Sequence, residues 1–256
     1  VGLFIVATDT PEFISPATSM LVQGRLQGGR RFAGSYDVGA SCSSFVTALI
    51  SASHALSADP SIGYALVVGV YNMPAYFRPG DAFGYSIFAD GAGAWLIGPD
   101  DGESTLLASQ MLSDGTQWDY VGVYSGGTRQ PVNTERLASG DWGLQLLQRL
   151  PGDRNVKLWP EVLDSLMAKV GRYRDGADHY LFTQINRSVI EEVMDLIGRP
   201  MIDTTCVMDR YGYTGSGCIP MAFHHAVKES RVKRGDDVMM MASGAGLAVS
   251  SALFRY

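Results

Sequence analysis

The sequence predicts an α/β fold built of two similar halves, and two observations lead to that prediction. Short apolar runs that end in glycine-containing turns alternate with helical patterns, which is typical of parallel strands covered by helices. The order strand, glycine-rich turn, buried helix, strand, glycine-containing turn, strand also occurs twice. We therefore place an N-terminal half at residues 1–112, a polar and glycine-rich connecting insertion at 113–155, and a C-terminal half at 156–256.

In the N-terminal half, short apolar runs predict strands and longer periodic segments predict helices. Residues 42–56 contain neither glycine nor proline and are apolar or small on every face, so the helix predicted there belongs in the centre of the protein. Strands are predicted at Gly2–Thr8, Phe32–Val38, Tyr64–Val70 and Asp90–Ile97, and a further helix at Pro16–Leu26.

The C-terminal half repeats this order. Strands are predicted at Asp178–Phe182, Thr204–Met208, Asp237–Ala242 and from Gly246 to Phe254, and helices at Trp159–Val170, Arg187–Ile197 and Cys218–Glu229.

Composition excludes several classes of protein. The chain has 256 residues, 46% of them hydrophobic and 18% charged, so it can bury a sizeable core and is neither disordered, collagen-like nor a coiled coil. Its net charge of −6, without a block of Lys and Arg, argues against nucleic-acid binding. No run of 18 or more uncharged apolar residues is present, so we expect no membrane span.

The cysteines and histidines predict neither disulfides nor a metal site. The three cysteines, Cys42, Cys206 and Cys218, form no Cys-x-x-Cys pair, and the four histidines are scattered. We therefore expect a reducing, cytoplasmic location and no metal.

Cys42 is the candidate nucleophile. It lies between the end of a predicted strand and the first turn of a helix, where unpaired backbone N–H groups and the helix dipole favour an anion. A thiolate in such a place can have its pKa lowered to roughly 3.5–7.5. The alternative is a buried, inert cysteine, and this is our interpretation of Cys206 and Cys218.

Several further motifs occur in one particular order. They are Val38–Phe45 (VGASCSSF), Tyr64–Gly69 (YALVVG), Phe88–Ala94 (FADGAGA), Gly126–Arg129 (GGTR), Thr183–Asn186 (TQIN) and Arg210–Pro220 (RYGYTGSGCIP). Together they resemble the thiolase superfamily, most closely its β-ketoacyl-acyl carrier protein synthase III branch. The resemblance covers the whole chain and implies a thiolase fold of two similar βαβαβαββ halves in five layers. It aligns Val1 with the family's third strand, so we expect the N-terminal half of this chain to lack its first βα units.

The resemblance also implies which residues form the site. The family uses a Cys-His-Asn triad, whose nucleophile maps onto Cys42. Thr183 stands where the family has its histidine, and Tyr213 stands where it has its asparagine. The family's oxyanion hole uses the N–H of the nucleophile and one from a late glycine-rich loop, here residues 243–246, with Ala245 as the expected donor.

These substitutions affect the two half-reactions differently. Forming an acyl-cysteine needs a thiolate and an oxyanion hole, whereas decarboxylating a malonyl thioester needs donors to an enolate oxygen. Thr and Tyr hydroxyls donate hydrogen bonds but are not bases near pH 7. The resemblance therefore implies an acyltransferase that loads Cys42 and passes the acyl group to an acceptor, with condensation dependent on Thr183 and Tyr213.

The expected partners are acyl-coenzyme A or an acyl carrier protein, which supply the acyl group as substrate; no other cofactor is implied. Asn186 and Arg187, the latter one residue from a carrier-docking position of the family, are the predicted contacts. Two basic clusters are further candidates for an acidic carrier or for phosphates, namely Arg25, Arg30 and Arg31, and Lys228, Arg231, Lys233 and Arg234.

The oligomeric state of the chain is linked to a second hypothesis about its function. We expect either a homodimer or a heterodimer with a homologue. In the latter case the chain could be a non-catalytic partner subunit of a ketoacyl synthase-like pair, because two triad positions are substituted. A hydroxymethylglutaryl- or chalcone-synthase-like relative fits less well, since those branches also rely on the histidine.

Overall fold

The computed structural model describes residues 1–28, 33–99 and 104–256. The strands in these ranges are β1 (Leu3–Ala7), β2 (Gly34–Val38), β3 (Ala65–Tyr71), β4 (Gly91–Ile97), β5 (Thr105–Gln117), β6 (Val121–Val123), β7 (Leu144–Leu146), β8 (His179–Phe182), β9 (Asp237–Gly244) and β10 (Gly246–Arg255). The helices are α1 (Thr18–Gln27), α2 (Ser44–Ala58), α3 (Ala82–Ile87), α4 (Thr134–Ser139), α5 (Arg154–Ala168), α6 (Arg187–Ile197), α7 (Met208–Tyr211) and α8 (Cys218–Lys228). Phe32, the first residue of one predicted strand, lies outside the described ranges.

The first sheet has the strand order β2-β1-β3-β4. β1 runs parallel to both of its neighbours, and β4 is antiparallel to β3. Ala7 at the end of β1 is paired with Val38 at the end of β2. The residues that follow these two strands therefore lie side by side at one edge of the sheet.

The second sheet has the order β5-β10-β9-β8, with β8 and β9 parallel and the other pairs antiparallel. β5 lies across the boundary that we predicted at residue 112 and pairs along its length with β10. It thus leads the chain from the first half directly into the second sheet. The predicted insertion at 113–155 contains the end of β5 and the short elements β6, α4 and β7.

Two clusters of buried side chains separate the layers. Phe45 of α2, Ile219 of α8 and Met240 of β9 belong to the cluster between the sheets. Met239 and Trp159 belong to a second cluster, under α5 and α6. Adjacent residues of a strand point to opposite faces, which places β9 between these clusters. With α1 on the outer face of the first sheet, the molecule has five layers, and the predicted α/β architecture is confirmed.

The prediction of a strand over Thr204–Met208 is wrong. Its only bridge to a named strand in the described ranges joins Thr204 to Tyr180. Beyond Thr204 the backbone does not pair with any strand of the described residues. The Val207 N–H instead donates to the side-chain oxygen of Gln184 at 2.8 Å. The segment then turns into α7 at Met208 instead of continuing as a strand.

No helix in the described ranges is both long enough and apolar enough to cross a membrane.

Candidate active site

Cys42 lies in a short 3₁₀ turn, Ser41–Ser43, between the end of β2 and the start of α2. Hydroxyl groups hold this turn: Ser43 Oγ donates to the Ala40 carbonyl at 2.6 Å, and Ser44 Oγ accepts from the Ala40 N–H at 2.8 Å. Ser41 has a φ of 51°, a left-handed conformation that is uncommon outside glycine. The Cys42 side chain is consequently held in one place, with 8% of its surface exposed.

The electrostatic environment opposes ionisation of Cys42. Burial raises the pKa of its thiol to about 12, and the negative charge of Asp9 acts in the same direction. Hydrogen bonds from the Tyr213 and Ser41 hydroxyls lower the pKa but do not compensate. The expectation that a helix start would lower the pKa of this thiol is therefore wrong, because desolvation penalises the thiolate more strongly.

Tyr213 contacts the Cys42 sulfur. Its backbone is fixed beside the end of α3, where its N–H donates to the Ile87 carbonyl at 3.0 Å and its carbonyl accepts from the Ala89 N–H at 2.9 Å. Its hydroxyl hydrogen-bonds Cys42, and burial raises the pKa of Tyr213 well above its ordinary value. The side chain is thus a neutral hydrogen-bond donor to sulfur.

Thr183 and Ala245 are connected to the Cys42 turn through β9. The Ser243 N–H donates to Thr183 Oγ1 at 3.4 Å. The next residue, Gly244, packs against the Cys42 turn so closely that a Cβ atom there would lie 2.9 Å from the Cys42 nitrogen. Ala245 follows in the turn between β9 and β10 and is half-buried. The loop expected to supply an oxyanion donor therefore lies beside the nucleophile.

A buried tryptophan orients this loop. Trp159 of α5 donates its indole N–H to Ser243 Oγ at 2.5 Å and stacks on Phe182, with 5.1 Å between ring centroids. The sequence analysis did not single out either contact, because both join residues far apart in the chain. Trp159 thereby links α5 to the residue that bonds Thr183.

Asn186 and Arg187 lie at the start of α6. Asn186 Oδ1 accepts the Ser188 N–H at 3.0 Å and so caps the helix. Arg187 pairs with Glu191 at 2.8 Å, and both of these side chains are exposed. Their contact with a carrier or with coenzyme A stays a prediction.

The basic clusters are only partly available for a ligand. Arg231 pairs with Glu229 at 3.1 Å, and the Arg234 guanidinium lies 4.1 Å from the centre of the Tyr256 ring. Arg30 and Arg31 lie outside the described residues.

None of the four histidines replaces the one missing from the triad. His179 is buried, its Nε2 lies 2.9 Å from Thr205 Oγ1, and burial lowers its pKa to about 4. His54 is twelve residues after Cys42, about 18 Å along α2 at 1.5 Å per residue. His224 and His225 both lie on α8. In the described part of the chain, no group of three or more side chains is arranged to hold a metal ion.

Sequence reasoning missed Asp9, whose carboxylate lies near Cys42. It acts electrostatically on the Cys42 thiol and accepts a hydrogen bond from Ser41. The usable signal was its position directly after a strand that neighbours the one leading to Cys42, since such ends meet at one sheet edge. Tyr71 of β3 and Cys218 of α8 complete the buried surroundings of Tyr213.

Two family models match the chain. The model described as 3-oxoacyl-[acyl-carrier-protein (ACP)] synthase III matches residues 36–115. The model for the C-terminal part of the same synthase matches residues 167–256.

Individual relatives agree with these models. The chain is 30% identical over 257 residues to a 3-oxopimeloyl-[acyl-carrier-protein] synthase of Rhodothermus marinus, covering 100% of this chain and 73% of the relative. It is 32% identical over 261 residues to a β-ketoacyl-[acyl-carrier-protein] synthase III of Xanthomonas oryzae, covering 100% and 77%.

Solved structures of the same family are also similar to this chain. The 3-oxoacyl-[acyl-carrier-protein] synthase III of Aquifex aeolicus superposes with a TM-score of 0.84 at 27% identity, covering 100% of this chain and 77% of that one. The corresponding synthase of Pseudomonas aeruginosa gives 0.85 at 26% identity, covering 100% and 76%.

Proposed function

Because this chain belongs to the 3-oxoacyl-[acyl-carrier-protein] synthase III family and is an acyl-transferring enzyme of that type, we propose that it forms an acyl-thioester on Cys42. The acyl group would come from acyl-coenzyme A or an acyl carrier protein and pass to an acceptor. The thiolase fold predicted for the chain is confirmed by the structural matches.

The observation that supports this proposal best is the set of groups around the Cys42 sulfur. The Tyr213 hydroxyl donates to it, and the Gly244 backbone lies against the Cys42 nitrogen. A thioester carbonyl attacked by the sulfur would develop negative charge on oxygen. The N–H groups of Cys42 and Ala245 are the donors we assign to that oxygen.

Within the same proposal, Tyr213 favours loading of Cys42 over decarboxylation. The hydrogen bond from its hydroxyl to the sulfur stabilises the thiolate that attacks. Thr183 Oγ1 already accepts a hydrogen bond from the backbone of β9. Neither side chain is placed as a base, so we propose transfer of an intact acyl group to a nucleophilic acceptor instead of carbon–carbon bond formation.

Intact-protein mass spectrometry tests the loading step. The chain is incubated with acyl-coenzyme A donors of increasing acyl length, and the expected result is one adduct of the acyl mass. Cys42→Ala should abolish the adduct, while Cys206→Ala, which removes a half-buried thiol elsewhere, should leave it unchanged. An adduct that survives in Cys42→Ala would contradict the proposal.

The second candidate is the non-catalytic partner subunit. It is favoured by the raised pKa of Cys42 and by the absence of a histidine beside that thiol in the described residues. Failure of every donor to label the chain, together with a stable complex with a homologue that has a complete Cys-His-Asn triad, would support it. A chain that turns over as a homodimer would exclude it.

A further inference from the structure

Asp9 is positioned by the pairing of β1 and β2. The Thr8 N–H donates to the Val38 carbonyl at 3.1 Å, which extends the parallel pairing one residue beyond Ala7. On the other side, Thr10 Oγ1 accepts the Asn72 N–H at 2.9 Å. Asp9 is therefore held between two anchored threonines, beside the turn that carries Cys42.

The carboxylate of Asp9 has a buried oxygen without a partner in the described residues. The carboxylate group accepts a hydrogen bond from the Ser41 hydroxyl. Its Oδ1 atom is buried and has no hydrogen-bond partner among the described residues. A buried carboxylate with an unsatisfied oxygen is destabilising for the fold, and such groups are concentrated where a protein needs a proton acceptor.

The Ser41 hydroxyl lies between this carboxylate and the nucleophile. Ser41 Oγ is 3.8 Å from Cys42 Sγ, and its single proton can be donated either to that sulfur or to the Asp9 carboxylate. When that proton is donated to Asp9, the Ser41 oxygen can accept the Cys42 proton. We propose that Asp9 is the proton-transfer group for Cys42, acting through the Ser41 hydroxyl in place of the absent histidine. This inference rests on the proposed loading of Cys42.

The proton transfers balance over one loading step. As the Cys42 sulfur bonds to the acyl carbon, its proton moves to Ser41 Oγ, and the Ser41 proton moves to the Asp9 carboxylate. The bond between the acyl carbon and the sulfur of the donor breaks, and its electron pair stays on that sulfur. Asp9 then returns its proton to the departing thiolate, so the donor leaves as a thiol and the carboxylate is restored.

An alternative role for Asp9 predicts the opposite change in the rate of loading. If the carboxylate were only a nearby negative charge, its removal would lower the pKa of Cys42 and accelerate loading, because this charge raises that pKa. If it transfers protons, its removal slows loading in spite of the easier ionisation. Burial raises the pKa of Asp9 above its ordinary value, which makes this carboxylate a stronger proton acceptor.

The experiment compares two acyl donors that differ only in the leaving thiol. Acyl-coenzyme A releases a basic alkyl thiolate that needs a proton, whereas an aryl thioester with the same acyl group releases a weakly basic thiolate that does not. The rate of loading is measured by mass spectrometry for the wild type, Asp9→Asn and Ser41→Ala. Asp195→Asn, which changes an exposed carboxylate on α6, is the matched control.

We expect Asp9→Asn to slow loading from acyl-coenzyme A by about 100-fold, the lower range for general acid–base catalysis. The slowing of loading from the aryl thioester should be at least tenfold smaller, that is, about tenfold or less. Ser41→Ala should show the same selectivity, and Asp195→Asn neither effect. Unchanged or faster loading of Asp9→Asn from acyl-coenzyme A would overturn the inference while leaving the loading of Cys42 intact. Absence of loading in the wild type with both donors would overturn the proposed function and this inference together.

Discussion

The starts of α2 and α8 occupy corresponding positions in the two halves. Among the described residues, only at the start of α2 do side-chain hydroxyl groups hydrogen-bond the cysteine sulfur. Each helix follows a 3₁₀ turn and carries a buried cysteine at that point, Cys42 or Cys218. Burial raises the pKa of both thiols. The comparison shows that a helix start alone does not make a reactive cysteine.

The difference lies in what surrounds each sulfur. Cys42 has the Ser41 and Tyr213 hydroxyls and the Asp9 carboxylate close to it. The main hydrogen bond that favours ionisation of Cys218 comes from the backbone of Gln184. Cys42 can therefore exchange a proton with neighbouring side chains, and Cys218 is interpreted as a core residue.

The turn before α8 is packed closely against the first sheet. A Cβ atom at Gly215 would lie 2.5 Å from the Tyr71 ring, and one at Gly217 would lie 2.8 Å from the Gly91 carbonyl oxygen. Ser216 Oγ also donates to the Val70 carbonyl at 2.7 Å. The turn before α8 is thus pressed against β3 and β4, and Cys218 has no exposed surface, whereas 8% of Cys42 is exposed.

The largest effect outside the proton relay is expected from Gly244→Ala. The added Cβ would lie 2.6 Å from the Ala40 oxygen and 2.9 Å from the Cys42 nitrogen, so the Cys42 turn has to move. Because a displacement of about 1 Å can reduce a reaction rate 100-fold, we expect a loss of that size in Cys42 loading by acyl-coenzyme A.

The matched control for this variant is Gly24→Ala in α1, where an added Cβ has no atom within 4 Å. It should load at the wild-type rate and raise the free energy of unfolding by up to about 1 kcal/mol. Wild-type loading by Gly244→Ala would show that the β9 end does not shape the site.

A smaller effect is expected from Tyr213→Phe, which removes the hydroxyl that donates to Cys42. That hydrogen bond lowers the pKa of the thiol, so its loss raises the pKa further and reduces the thiolate fraction at any pH below it. A hydrogen bond to a charged group contributes roughly 1.5–3 kcal/mol, and we expect alkylation of Cys42 by iodoacetamide at pH 9 to slow about tenfold.

Tyr211→Phe, two residues earlier in the chain, serves as the control and should leave the alkylation rate unchanged. Faster alkylation of Tyr213→Phe would mean that the phenol shields the sulfur instead of stabilising its thiolate.

The smallest effect is expected from Cys218→Ala. We expect loading from acyl-coenzyme A to stay within about twofold of the wild type, since Cys218 lies beside Tyr213 but is not among the groups that hydrogen-bond Cys42. The free energy of unfolding should fall by about 1 kcal/mol, as for other buried truncations, measured by urea titration. A large loss of loading would show that the two cysteines act together.

Sequence reasoning succeeded where the signals are local. The helix predicted over Arg187–Ile197 has those bounds, because its cap and its apolar periodicity are both contained in the segment. It failed where distant residues decide the structure. β5 was not predicted, since it is stabilised by pairing with β10, and Thr204–Met208 was predicted as a strand although the side chain of Gln184 takes over its backbone bonding.

The same division applies to the site. Motif comparison indicated Cys42, Thr183, Tyr213 and Ala245. The fold brings them to one region through β2, β8, β9 and the turn after α7. Motif comparison could not indicate Asp9, because its proximity to Cys42 depends on the register of β1 against β2. The expectation drawn from the helix start gave the wrong direction for the pKa of Cys42, since burial in the assembled core is not a property of the segment.

The most direct test of the comparison between the two helix starts is to locate the acyl group within the chain. The wild-type protein is loaded with acyl-coenzyme A and digested, and the modified peptide is identified by tandem mass spectrometry. The account predicts that the acyl group lies on the peptide containing Cys42 and not on the one containing Cys218. An acyl group on Cys218, or on any residue other than Cys42, would contradict it.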